Sequence, residues 1–134
     1  MIDLDSPLFT EIAGALRSAY SGITVYDEYV PAPSRFPSVS IVEMDNATYL
    51  PAWSNRPVEE YAEVMYEVNV YSNLSRGKKA QAKAIMSTID TMLQEYGFER
   101  MTVQPIPNMN DATIYRMVGR YRAVVSDDLT IFRR

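Results

Sequence analysis

YAEVMYEVNVY at residues 61–71, KKAQAKAIMSTIDTMLQEY at 78–96 and IYRMVGRYRAVV at 114–125 together specify the architecture of this chain, and the first of them is the key. In it Ala62, Val64, Tyr66, Val68 and Val70 share one face of an extended chain, and Glu63, Met65, Glu67, Asn69 and Tyr71 share the other. A period of two with β-branched and aromatic residues on one side predicts a strand with one buried face. In the second segment Ala82, Ile85, Ile89, Met92, Leu93 and Tyr96 recur at three- and four-residue spacing, the stripe of a helix lying on a core. Gly97 supplies its left-handed cap and Phe98 the apolar contact after it. The third segment alternates again. Tyr115, Met117, Tyr121, Ala123 and Val125 point one way, and Ile114, Arg116, Val118, Arg120, Arg122 and Val124 the other, with Gly119 marking a bulge or a close approach by another backbone.

Toward the N-terminus, Ser6 and Pro7 suit the N-cap and first position of a helix whose stripe is Phe9, Ile12, Ala13, Leu16 and Tyr20, ended by Gly22. Residues 23–27 read as a short strand. VPAPSRFP, 30–37, carries three prolines and reads as an extended loop. Residues 38–44 resume strand alternation, and DNATYLPAWSNRP makes a long aromatic connection that holds Trp53, the single tryptophan. After the second helix, FERMTVQPI is a strand ended by Pro105 and Pro107, and DDLTIFRR at the end of the chain predicts a short edge strand. The expected fold is therefore α+β: one mostly antiparallel four- to five-stranded sheet, two helices on one of its faces, and an extended loop or hairpin arm. The 134 residues make a single domain, with the arm at about 45–60 and a short tail at 127–134.

Composition narrows the chemistry. The chain has no histidine and no cysteine, so disulfides, thiol nucleophiles, soft metal ligands and the commonest general base are absent. Thirteen basic against seventeen acidic residues leave a net charge of −4, which weighs against a dedicated nucleic-acid binder. MIDLDSPLF lacks a signal-peptide pattern, and no apolar run reaches the roughly 20 residues of a membrane span. Ser75 and Lys78 form an SxxK spacing, but without companion motifs they read as a helix start with a solvated lysine. Glu59, Glu60, Glu63 and Glu67 could gather a hard cation; an acidic solvent-facing stripe is the plainer reading. Neither metal nor cofactor is expected, and no enzymatic activity. Arg116, Arg120 and Arg122 could form a nucleic-acid platform with tyrosines, but the tyrosines of their strand lie on its opposite face. Salt bridges between subunits, to the acidic third strand, are the better expectation.

The order of elements, with NVYSN closing the third strand, MLQEYGFER closing the second helix and IYRMVGRYRAVV as the last long strand, resembles the tail-terminator (tail-completion) and head–tail joining proteins of long-tailed bacteriophages. The resemblance covers roughly residues 20–125. It implies a non-enzymatic virion protein of the tail or neck, made in the host cytoplasm, that forms a hexameric ring on the tail tube protein. Such a ring meets the head connector protein and lets DNA pass only as cargo, with no membrane partner. A head-closure protein is the neighbouring possibility, and a small nucleic-acid-binding sheet module is the alternative of a different class. Under this resemblance the subunit interface draws on Tyr49, Leu50 and Trp53 in the arm. Glu63 and Glu67 would join it from the acidic strand, and Arg116, Arg120 and Arg122 would pair with a neighbour's carboxylates or line the ring.

Overall fold

A computed structural model of the chain describes residues 1–49, 61–107 and 111–132. It is α+β, with two helices and a six-stranded mixed sheet in the order β1-β2-β3-β5-β4, and β6 on β5. The elements are α1 (Asp5–Ala19), β1 (Thr24–Tyr26), β2 (Ser38–Thr48), β3 (Tyr61–Ser72), α2 (Lys78–Tyr96), β4 (Glu99–Pro105), β5 (Tyr115–Ser126) and β6 (Ile131–Phe132). β2, β3, β5 and β4 are antiparallel neighbours, whereas β1 runs parallel to β2. The sheet thus has one strand more than expected, and one parallel edge. The cause of that edge is the proline loop: it does not turn the chain back on itself but carries it across, so that β2 starts alongside Thr24 in the same direction. β6 extends the edge of β5 beyond the point where β4 stops, pairing Val124 and Val125.

The alternation read in 61–71 and 114–125 sorts the two faces as expected. Ala62, Val64, Tyr66, Val68 and Val70 join Met117, Tyr121, Ala123 and Val125 in one apolar cluster with Ile12 and Leu16 of α1 and Ile85, Ile89 and Leu93 of α2. Both helices therefore cover one face of the sheet and leave the other bare of helix. Tyr20 fastens α1 to α2 by donating its hydroxyl hydrogen bond to the Ala84 carbonyl (3.1 Å) and lying 2.8 Å from the Thr88 hydroxyl. At the end of α2, Gly97 is left-handed at φ 107° and the Phe98 N–H reaches the Leu93 carbonyl at 2.9 Å, the six-to-one bond of a Schellman ending. The helix starts differ from expectation. α1 begins at Asp5 rather than after Ser6, with no side-chain cap, and Asp5 itself faces the positive end of the helix dipole. α2 begins after Gly77 in the left-handed region and not at Ser75, and the Ser72 hydroxyl ties the end of β3 to it by donating to Gln81 Oε1 at 2.5 Å.

Three tyrosines lock this layer by donating to carboxylates: Tyr66 to Glu43 (3.0 Å), Tyr121 to Asp90 (2.7 Å) and Tyr96 to Glu11 (2.6 Å). Burial, and then the adjacent carboxylates, push the Tyr66 phenol well above its ordinary 10. Burial and the bond to Asp90 do the same for Tyr121, and burial with the bond to Glu11 raises Tyr96 to about 12. Because these groups hold their protons more tightly when folded, the stability they contribute is complete below pH 10 and lost as pH climbs through the raised values. In an alkaline titration Tyr66 and Tyr121 should therefore ionise only as the far-UV circular dichroism collapses. A single wave of tyrosinate absorbance around pH 10 that accounts for every tyrosine in a still-folded protein would contradict this placement.

Candidate functional site

The helix-free face of the sheet collects the polar residues singled out in the sequence. Register decides how they meet. Because β3 and β5 are direct neighbours, Tyr71 stands opposite Arg116, Glu67 opposite Arg120 and Met65 opposite Arg122. The acidic strand and the arginine strand are thus adjacent in one chain, and the expectation that they wait for each other across subunits is corrected. Arg120 reaches Glu67 Oε2 through Nε and Nη2, both at 3.2 Å. Arg122 turns instead to Glu99 on β4 at 3.0 Å. Arg116 donates to Asn69 Oδ1 through Nε (3.1 Å) and Nη2 (2.7 Å), and its guanidinium stacks on the Tyr71 ring at 5.7 Å. Asn69 in turn donates to Glu67 Oε1 at 3.2 Å, so Arg116, Asn69, Glu67 and Arg120 form one continuous network. Glu63 also lies on this face, beside Val124 and Ala47.

Burial separates the members of this network. Asn69 is fully buried and Glu67 is 9% exposed, although both point away from the helices. The 27–37 loop approaches from the β1 edge, where the Tyr71 hydroxyl donates to the Val30 carbonyl at 3.4 Å. Residues 106–107 close in from the β4 edge, with the Ile106 N–H bonded to the Arg116 carbonyl at 3.0 Å. Between them lies a groove of about 360 Å³ lined by Tyr29, Val42, Met44, Ile106, Val118 and the three charged groups Glu67, Arg116 and Arg120. Its floor is apolar, and two guanidiniums against one carboxylate leave it a net positive charge.

A buried amide with three hydrogen bonds to two charged groups should matter more than an exposed ion pair. Asn69→Ala is expected to cost about 1–3 kcal/mol, because it strands Glu67 and Arg116 without their shared partner. Arg122→Ala should stay within about 1 kcal/mol, its pair with Glu99 being solvent-exposed. Urea unfolding of the two variants checks the order; equal losses would mean that the network is not held as described.

The remaining candidates fall elsewhere. Tyr49 is exposed directly after β2, its N–H bonded to the Tyr61 carbonyl at 2.8 Å. β2 runs on to Thr48, so residues 45–48 expected in the arm belong to a hairpin stem, while Leu50, Trp53, Glu59 and Glu60 lie outside the described residues. Lys78 does not turn to Ser75: its ammonium donates to the Ala112 and Thr113 carbonyls at 3.3 and 3.4 Å, tying the start of α2 to the segment before β5. Among the described residues no group of three or more carboxylates converges to hold a metal ion, and no helix is long and apolar enough to cross a membrane. Sequence reading missed Asn69, Tyr29 and Ile106, whose roles depend on which strands are neighbours and on where two loops fold back. The only advance signal was Asn69 itself, an amide between Glu67 and Tyr71 on a face otherwise expected to meet water.

The sheet edges are guarded while this face is not. Beyond the short β1, β2 becomes the edge and carries a bulge between Glu43 and Asp45; β4 has a bulge between Arg100 and Thr102 and ends at Pro105. Both features hinder strand addition. The bare face presents Tyr29 at 52%, Met44 at 51% and Phe132 at 42% exposure among its ion pairs. Apolar side chains thus stand exposed among charged pairs on this face. A scan against protein-family models gives no match to this chain, and a search of curated proteins likewise gives none.

Proposed function

We propose that this protein is a structural virion component that forms a ring at the end of a phage tail tube and joins tail to head. The observation that carries the reading is the helix-free sheet face, where Tyr29, Met44 and Phe132 stand exposed among the Glu67–Arg120 and Glu99–Arg122 pairs while both sheet edges are bulged. Such a fold associates through faces and loops rather than by strand addition. The ordered motifs ending NVYSN, MLQEYGFER and RYRAVV add the resemblance to tail-terminator proteins. On this reading the partners are further copies of the chain, in a hexamer, with the tail tube protein on one side and the head connector on the other, and no catalytic residue is required. A head-closure protein of the same neck would use the same surface.

Negative-stain electron microscopy of the purified protein, alone and with tail tubes, tests this. Rings with a central channel, free or seated on tube ends, are the expected result; tubes left bare and a field of single subunits would refute it. The three arginines on one face favour a second reading, a single-stranded nucleic-acid platform. Asn69, Glu67 and Glu99 take the Nε side of each of these guanidiniums, so the platform would hold a phosphate backbone weakly and lose binding steeply with salt.

A further inference from the structure

The turn between β5 and β6 is built around an unusual residue. Leu129 is left-handed at φ 65°, the one non-glycine residue among those described to be so, and its side chain is 39% exposed. Leucine does not adopt this conformation for its own sake, so the surroundings must impose it. They do: the Leu129 N–H bonds the Ser126 carbonyl at 3.0 Å, Asp128 is bonded by the Ser126 hydroxyl, and the Thr130 N–H reaches Asp128 Oδ1 at 3.1 Å. Those bonds hold the Asp128 carboxyl below its ordinary value, so it stays ionised. Asp127 is exposed beside it. The result is a hydrogen-bonded turn whose tip carries two exposed negative charges and a partly exposed leucine, which lies beside Leu4, Leu8 and Tyr96 of its own chain.

The groove on the sheet face is its complement: an apolar floor of Val42 and Val118, a net positive charge from Arg116 and Arg120 against Glu67, and a volume of about 360 Å³, more than twice the roughly 150 Å³ that accepts a benzene-sized guest. The Arg120 side chain is 52% exposed and open to a further anion. Along β5, Arg120 and Asp127 are seven residues apart, roughly 23 Å, which keeps a chain's own turn out of its own groove. We propose that the Asp127–Leu129 turn of one copy seats in the Arg116–Arg120 groove of the next. Tip and groove are different patches, so the contact is heterologous and its repetition closes a ring or extends a filament. This rests on the reading of the chain as a self-assembling subunit and names the surfaces that would do it.

Sedimentation velocity on three variants provides the test. Asp127→Lys with Leu129→Asn removes the tip's charge and apolar anchor, and asparagine tolerates the left-handed backbone. Leu129→Asn alone is the milder form. Met44→Glu places a carboxylate at the groove rim from an exposed bulge position. Each should melt as the wild type does, and the double tip variant and Met44→Glu should each weaken self-association at least about 30-fold. Mixed together they should form a one-to-one dimer and nothing larger, because one intact tip and one intact groove remain. If the wild type associates and the variants associate equally well, or the mixture regains the full assembly, this contact is wrong while the subunit reading stands. A wild type that is monomeric at about 1 mM, where even millimolar contacts are half populated, overturns both.

Discussion

Tyr121→Ala should cost about 3–5 kcal/mol, the largest loss expected from any single truncation in this protein. The Tyr121 ring is fully buried in the middle of β5, opposite Tyr66 on β3, whose own ring meets Phe98 edge-on at 5.8 Å. Its hydroxyl crosses to Asp90 on α2, so one side chain both fills the space under the helix and pins it to the sheet. Against a total stability of roughly 5–15 kcal/mol, the loss should lower the melting temperature by more than about 10 °C. Tyr121→Phe separates the two contributions. It keeps the ring and leaves Asp90 with Gln94 Nε2 at 2.7 Å and Arg100 Nη1 at 3.4 Å, so it should cost only about 1 kcal/mol. Urea denaturation followed by circular dichroism measures both. Equal losses in the two variants would mean that the hydroxyl, not the packed ring, carries the effect.

Gly119→Val is the second large effect, about 3 kcal/mol in the destabilising direction, from overpacking rather than from a cavity. Gly119 sits on the helix-facing side of β5, opposite Val68 and next to Val103 of β4. A Cβ there would meet Tyr121 Cε2 at 3.0 Å, Val103 Cγ2 at 3.2 Å and Met86 Sδ at 3.3 Å. For a single added atom Tyr121, Val103 and Met86 need each give by only a few tenths of an ångström, so Gly119→Ala should be milder. Two further methyl groups would push α2 off the sheet at the point where Met86 rests. The same unfolding experiment applies, and a valine variant as stable as the wild type would show that α2 does not press on β5 as described.

The glycine also illustrates what the sequence could and could not reveal. Its position in an alternating strand announced a bulge or a close approach by another backbone; β5 has no bulge there, and the groups that crowd it are side chains, of Tyr121 in β5 itself, Val103 in β4 and Met86 in α2. Strands and helices were legible because one periodicity governs each: Val64, Tyr66 and Val68 on one side of β3, and Ile85, Ile89 and Leu93 on one side of α2, announce their burial locally. Strand order is not local. Nothing in residues 61–71 says that β5, rather than β4, lies beside them, and so Glu67 and Arg120, expected in different subunits, are cross-strand neighbours 3.2 Å apart. The parallel β1 edge was hidden for the same reason, since prolines mark a loop without giving its direction. Asn69 and Leu129 were overlooked because their meaning comes from burial under a loop and from a backbone dihedral, neither of which composition encodes.

Whether this scaffold works by binding copies of itself is the question on which its function turns, and native mass spectrometry across a concentration series answers it. A closed ring predicts that the monomer gives way to one dominant stoichiometry, six if the resemblance to tail terminators holds, with few intermediate species. A protein that remains monomeric throughout the series, or that yields an open ladder of ever larger oligomers with no preferred size, would contradict it.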